Sequence, residues 1–177
     1  MHTRHAPPAL AYYLHSTGSL TAHLEAIKGK PLRVKILQQA LTPLSHTQKR
    51  LLGLPLHKTR LAWVREVLLF GDDGDVADDM ADNMAWVRAM SVFPLTSLQG
   101  NAKRLRYLKQ RPIGYVMFAR TRHLSHERSF DYNQGNWGRH TVYDWHGRKL
   151  LISEIFLPAF VERLQSSQAT QSVNCSI

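Results

Sequence analysis

The chain has 177 residues, 44% hydrophobic and 20% charged, a balance that suits one globular domain with a core of its own. No apolar run approaches the roughly 20 residues that cross a bilayer, and the single cysteine, Cys175, excludes an internal disulfide. The net charge of +10 is uneven: six of the 13 acidic residues (72, 73, 75, 78, 79 and 82) fall between Gly71 and Asn83, so most of the surface attracts anions.

In chain order, residues 1–13 read as a flexible N-terminal arm. The short apolar stretch Ala9 to Leu14 falls below the length of a secretory h-region, so a cytoplasmic protein is expected. Ser19 is placed to cap a helix that carries Leu20, Leu24 and Ile27 on one face and stops near Gly29 and Pro31. Leu32, Val34 and Ile36 alternate with Arg33 and Lys35, the pattern of a half-buried strand. A strand follows at 61–70, then the acidic loop 71–83, then a strand at 84–93 closed by Pro94. Asn101 to Lys109 reads as a basic helix, and Pro112 opens a short helix carrying Tyr115 to Phe118. Strands are expected at about 121–132, 138–146 and 149–157, with Gly147 turning the last pair, and 165–177 reads as a flexible tail. Clustered strands with few helices between them point to an antiparallel α+β domain.

Two charges break this pattern. In Leu61 to Phe70 the odd positions read Leu, Trp, Arg, Val, Leu; in Leu150 to Leu157 the even positions read Leu, Ile, Glu, Phe. Side chains alternate across a strand, so Arg65 and Glu154 each share a face with apolar neighbours. A lone buried charge costs several kcal/mol, so these two need each other, a hidden network or a ligand. A structural ion pair is one reading. The other is that Arg65 offers its planar fork to a substrate carboxylate while Glu154 carries a proton.

Other candidates are weaker. His123-x-x-His126 places its rings on opposite faces of a strand, with no cysteine or carboxylate motif beside it, so no metal is expected. The aspartate-rich loop lacks the glycine and terminal glutamate of an EF-hand and reads as a solvated hairpin loop. Lys103, Arg104, Arg106, Lys109 and Arg111 form a basic face: a solvated surface, a phosphate contact or a guide for an anionic substrate. Interleaved aromatics of the kind that stack on bases are sparse there, and no nucleic-acid partner is expected.

Taken in order, Trp63-Val64-Arg65-Glu66, Ser91-Val92-Phe93-Pro94, Pro112-Ile113-Gly114 with Phe118, Trp137-Gly138-Arg139 and Leu151 to Pro158 resemble the chorismate pyruvate-lyase family over roughly residues 14–160, within a domain expected at 14–164. The resemblance implies a single six-stranded antiparallel sheet with helices packed on one face and a helical flap over an internal ligand pocket. It implies a monomeric, cofactor-free carbon–oxygen lyase that converts chorismate to 4-hydroxybenzoate and pyruvate, the first step of ubiquinone biosynthesis. Arg65 and Glu154 match the family's central polar pair, Ile113 a backbone contact to the ligand's carboxylate, and Leu20 a contact from the flap. Where the family tends to carry arginine before Thr or Ser, this chain has Met90, and Arg88 sits two residues earlier on the same face. Effector domains of some transcriptional regulators resemble the same fold, so a binding module without catalysis is the alternative.

Overall fold

Antiparallel pairing of Leu61–Phe70 (β2) with Val87–Pro94 (β3), and of β3 with Lys149–Phe156 (β6), forms the centre of one six-stranded sheet. The order is β1-β2-β3-β6-β5-β4, with Arg33–Pro43 (β1) and His126–Asn133 (β4) at the edges and Asn136–Asp144 (β5) beside β6. The structure, a computed structural model, describes residues 3–71, 82–120, 124–145 and 147–174. Cys175, His123 and most of the acidic loop therefore lie outside the described residues, as does the start of the expected strand at 121.

Helices Pro8–His15 (α1), Leu20–Lys28 (α2) and Pro158–Asn174 (α5) pack on one face, here called inner. Their Leu10, Leu14, Leu20, Leu24, Phe160 and Leu164 join Val67, Leu69, Val87, Ala89 and Phe156 of the sheet in one cluster. A second inner cluster sets Ala102, Leu105 and Leu108, with Met117 of Gly114–Met117 (α4), against Phe93, Tyr143, Leu150 and Ile152. The outer face is partly covered too. His46–Leu51 (α3) and its flanks bring Leu44, Leu51 and Leu52 onto Ala62, Val64, Val92, Val142 and Leu151. Helices therefore lie mainly, not wholly, on one face.

Helix α2 starts and stops where its sequence says it should. Ser19 Oγ accepts from the Ala22 amide at 3.3 Å, and Gly29 ends the helix with φ of 73°, a left-handed geometry that glycine adopts without a Cβ penalty. The N-terminal segment differs from the loose arm expected of it. Residues 8–15 form α1, with Leu10 and Leu14 at 1% and 0% exposure, because this short apolar stretch finds a covered face of the sheet. Residues 165–174, expected to be a tail, continue α5.

Three further departures have local causes. β1 runs on to Pro43 through an irregularity between Ile36 and Gln38, where the extra residue breaks the alternation that marks a strand. The basic segment is the 3-10 helix Gly100–Tyr107: its buried residues recur every third position (Ala102, Leu105, Leu108), which is the period of that helix. α3 rests on a reciprocal cap, Ser45 Oγ accepting from the Gln48 amide and Gln48 Oε1 from the Ser45 amide.

Candidate active site

Pairing register sets the site. Arg65 lies opposite Ser91, Ser91 opposite Ile152, Ile152 opposite Thr141 and Thr141 opposite Arg128. From Arg65 to Arg128 this row crosses five strands on the inner face, and Gln39 of β1 lies opposite Arg65 on its other side. The adjacent row reads Val67, Ala89, Glu154, Arg139 and Phe130. Directly opposed residues project to the same side, so Arg65, Arg128, Arg139 and Glu154 share the inner face.

Arg65 is 1% exposed. Its Nη2 donates to the carbonyls of Lys109 at 2.8 Å and Arg111 at 3.2 Å, and its Nε is buried with no partner among the described residues. Burial lowers its pKa to about 10, which still leaves a cation at neutral pH. The loop it holds is unusual, since Lys109 takes a left-handed φ of 49° that non-glycine residues seldom adopt. That loop is also tied down upstream, with the Arg106 guanidinium 5.1 Å from the Trp63 ring centre and Arg104 5.7 Å from that of Trp145. The basic face is thus exposed but anchored, and its end forms a wall beside Arg65.

Glu154, 9% exposed, is held from the other side. Its Oε2 accepts from Arg139 Nε at 2.5 Å, and Arg139 is fully buried. Arg139 Nη1 also donates to Tyr13 O at 2.5 Å and to Ser16 O and Oγ at 3.2 Å. Arg128 donates through Nη1 to Leu14 O and Ser16 O, at 3.2 and 2.7 Å, and through Nε to Thr141 Oγ1 at 2.9 Å. Two guanidiniums thereby satisfy carbonyls left open at the C-terminal end of α1, where positive charge is favoured. The Nη2 atoms of both arginines, and Nδ1 of His23 on α2, are buried without a well-formed hydrogen bond among the described residues. Burial, and then the charge of Arg139, lowers the His23 pKa; burial, and then Glu154, raises that of Tyr143.

Arg65 and Glu154 thus share a face without pairing directly, and the partner of Glu154 is Arg139. Its signal was present in the turn: a hairpin that pairs Asp144 with Lys149 must, five residues back along each strand, pair Arg139 with Glu154. The Met90 departure also changes meaning. Met90 lies opposite Glu66 and Ser153, and Arg88 binds Glu66 at 2.6 Å, all on the outer face. Neither Met90 nor Arg88 faces Arg65, because each is an odd number of residues from Ser91 along β3.

Leu20 and Ile113 sit at the starts of α2 and α4, beside a close approach of the two helices. A Cβ on Gly114 would lie 2.4 Å from Ser19 Oγ and 3.0 Å from Thr21 Oγ1, so a larger residue there would have to displace the Ser19 side chain from its capping position. Leu20 is buried with Leu14 and Leu24, whereas Ile113 packs into the cluster beneath the 3-10 helix. A second tie runs from the Tyr115 hydroxyl, which donates to Glu25 Oε1; the same oxygen accepts from the Leu32 amide at 3.0 Å. Burial and that hydrogen bond push the Tyr115 hydroxyl up to about 12. Among the described residues no three His, Cys, Asp or Glu side chains gather as a metal site, and no helix is long and apolar enough to cross a membrane.

Comparison with known proteins adds a family to this geometry. Residues 2–166 match the chorismate lyase family. The protein named "Probable chorismate pyruvate-lyase" from Psychrobacter arcticus is 48% identical over 159 residues, 88% of this chain and 89% of that one. The chorismate pyruvate-lyase of Escherichia coli O1:K1 / APEC is 28% identical over 152 residues, 86% of this chain and 84% of that one. Among solved structures, a GntR-family transcriptional regulator from Enterococcus faecalis V583 gives a TM-score of 0.41 at 9% identity, covering 71% of this chain and 94% of that one.

Proposed function

We propose that this chain, which belongs to the chorismate lyase family, removes the enolpyruvyl group of chorismate to leave 4-hydroxybenzoate and pyruvate, the entry step of ubiquinone biosynthesis. The observation that carries this reading is a charge imbalance: among the described strand residues, Arg65, Arg128 and Arg139 share the inner face with one carboxylate, Glu154. Uncompensated charge inside a protein is costly, and a dianionic substrate supplies the balance that the described residues lack.

The chemistry asks little beyond placement. The ring carbon that bears the hydroxyl loses its proton, the neighbouring ring carbon–oxygen ether bond breaks, and the departing enolpyruvate is protonated to pyruvate. Aromatisation drives the step. Arg65, with Nη2 fixed by two carbonyls and Nε without a partner among the described residues, is suited to hold a carboxylate in one orientation. Leu20 and Ile113, at the neighbouring starts of α2 and α4, are the further contacts this reading assigns to the substrate. Glu154 serves as the proton carrier, either as acid toward the ether oxygen or as base toward the ring proton. Arg139 keeps that carboxylate in a fixed position.

Incubation of the protein with chorismate alone tests the reading. Equal amounts of 4-hydroxybenzoate and pyruvate are expected, with no metal or cofactor added. A folded protein that leaves chorismate intact would sink it, and a different hydroxybenzoate isomer would keep the lyase and change the product.

A further inference from the structure

We propose that Arg128 and Arg139 form a second anion subsite, beyond Glu154 from Arg65, that takes the enolpyruvyl carboxylate of the substrate and makes the site select dianions. This rests on the lyase reading above. The first support is unmet hydrogen-bonding capacity. Arg139 is fully buried, yet its Nη2 has no partner among the described residues. Arg128 Nη2 also lacks a well-formed hydrogen bond, with the Tyr143 hydroxyl as its neighbour. Their remaining nitrogens are spoken for: Arg139 Nε by Glu154, and Nη1 of both by the end of α1. One N–H-bearing nitrogen of each guanidinium is therefore left under-satisfied, on a face where burying a donor unmet costs about 1–3 kcal/mol.

The second support is position. Arg65 stands on β2, Glu154 on β6, Arg139 on β5 and Arg128 on β4, in that spatial order across the sheet. Strands are spaced about 4.8 Å apart, so the proton carrier lies between two cationic ends that are several strand widths apart. Chorismate has the matching arrangement: one carboxylate on the ring, one on the side arm, and the reacting ether between them. With the ring carboxylate at Arg65, the ether falls near Glu154 and the side-arm carboxylate near the Arg128–Arg139 end. The like charges of Arg128 and Arg139 repel, as the lowered pKa of Arg128 reflects after its burial, and an anion between them relieves this. The product 4-hydroxybenzoate carries only the ring carboxylate and leaves the second subsite unused.

Arg128 is the residue to change, because Arg139 also holds Glu154. The probes are two matched ligands: a benzoate bearing a carboxyvinyl ether, and the same molecule with the side-arm carboxyl as a methyl ester. On the wild type, calorimetry should show the dianion binding about 10- to 100-fold tighter, the range of one charge-assisted hydrogen bond. Arg128→Met, which keeps the apolar stem, should erase most of that preference while 4-hydroxybenzoate binds within about twofold of wild type. Equal loss for all three ligands would overturn the proposal and leave Arg128 as an anchor of α1 only. Should Arg128→Met fail to fold, the wild-type ratio still decides: equal affinity for the diacid and its half-ester overturns the subsite. A wild type that prefers the dianion but leaves chorismate intact would refute the lyase reading and keep the subsite.

Discussion

Arg139 and Glu154 oppose each other directly across the β5–β6 ladder and meet at 2.5 Å, so the inner-face carboxylate is held by its own hairpin rather than by Arg65. One pair thereby couples three parts of the fold: β6 through Glu154, β5 through Arg139, and the end of α1 through the carbonyls of Tyr13 and Ser16. Changes at this pair should register in stability and in activity, and the two readouts should separate.

Removing one partner of a buried ion pair strands the other, at about 3–5 kcal/mol. Glu154→Gln and Arg139→Gln should each lower the unfolding free energy from urea titrations by that order. The double variant Arg139→Met/Glu154→Met should recover part of the loss, because two apolar side chains replace two charges. Turnover should not recover: every variant lacking Glu154 should lose about 10²- to 10⁴-fold in kcat, the range of general acid–base catalysis. A Glu154→Gln protein with near-normal kcat would remove the proton-transfer role.

Arg65→Lys keeps a cation but loses the fork. Its ammonium cannot bind the Lys109 and Arg111 carbonyls and also present a second donor edge to a carboxylate. KM for chorismate should rise about tenfold or more, the scale of one lost charge-assisted hydrogen bond, with a smaller effect on kcat. An unchanged KM in steady-state assays would show that Arg65 is only a strut for the 109–111 loop.

Gly114→Ala places a Cβ 2.4 Å from Ser19 Oγ and should turn that hydroxyl out of its cap and loosen the seat of α2 on α4. The sheet and its clusters do not depend on this contact, so the far-UV circular dichroism should be retained. Because Leu20 and Ile113 flank the displaced contact, KM should rise. Ser19→Ala added to Gly114→Ala removes the clashing hydroxyl and should restore part of the affinity, at the cost of the helix cap. No recovery would mean that the clash with Thr21 dominates.

His23 has its pKa lowered in the fold, so its neutral form is the favoured one. In the unfolded chain it titrates near 6.5. Between the two values the unfolded state binds a proton that the native state does not, so stability rises with pH across that window. The contribution is complete above about pH 6.5 and is lost as pH falls through the lower folded value. With other histidines titrating as well, the measurement is a difference: urea midpoints at pH 7.5 and 5.5 for wild type and His23→Gln. The variant should lose less stability on acidification, and an equal loss would contradict the assignment.

Much of this protein is legible in its residues alone. Period-two patterns mark β2 and β6 and single out Arg65 and Glu154 as charges on apolar faces. Ser19 and Gly29 bound α2, since capping is settled within one turn of chain, and the order of short motifs points to the family. Properties that depend on who sits opposite whom were beyond local pattern. α1 reads as an arm because eight residues cannot show what will cover them, and β1 is hidden past Ile36 by one irregular residue. Met90 reads as a departure from the family's arginine until pairing puts it on the outer face opposite Glu66. Arg139 reads as one residue of a short motif until the hairpin closes and places it against Glu154. Hydrophobic period records which face a side chain takes. Only the register between strands far apart in sequence decides which charges share that face, and hence that Glu154 meets Arg139 and not Arg65.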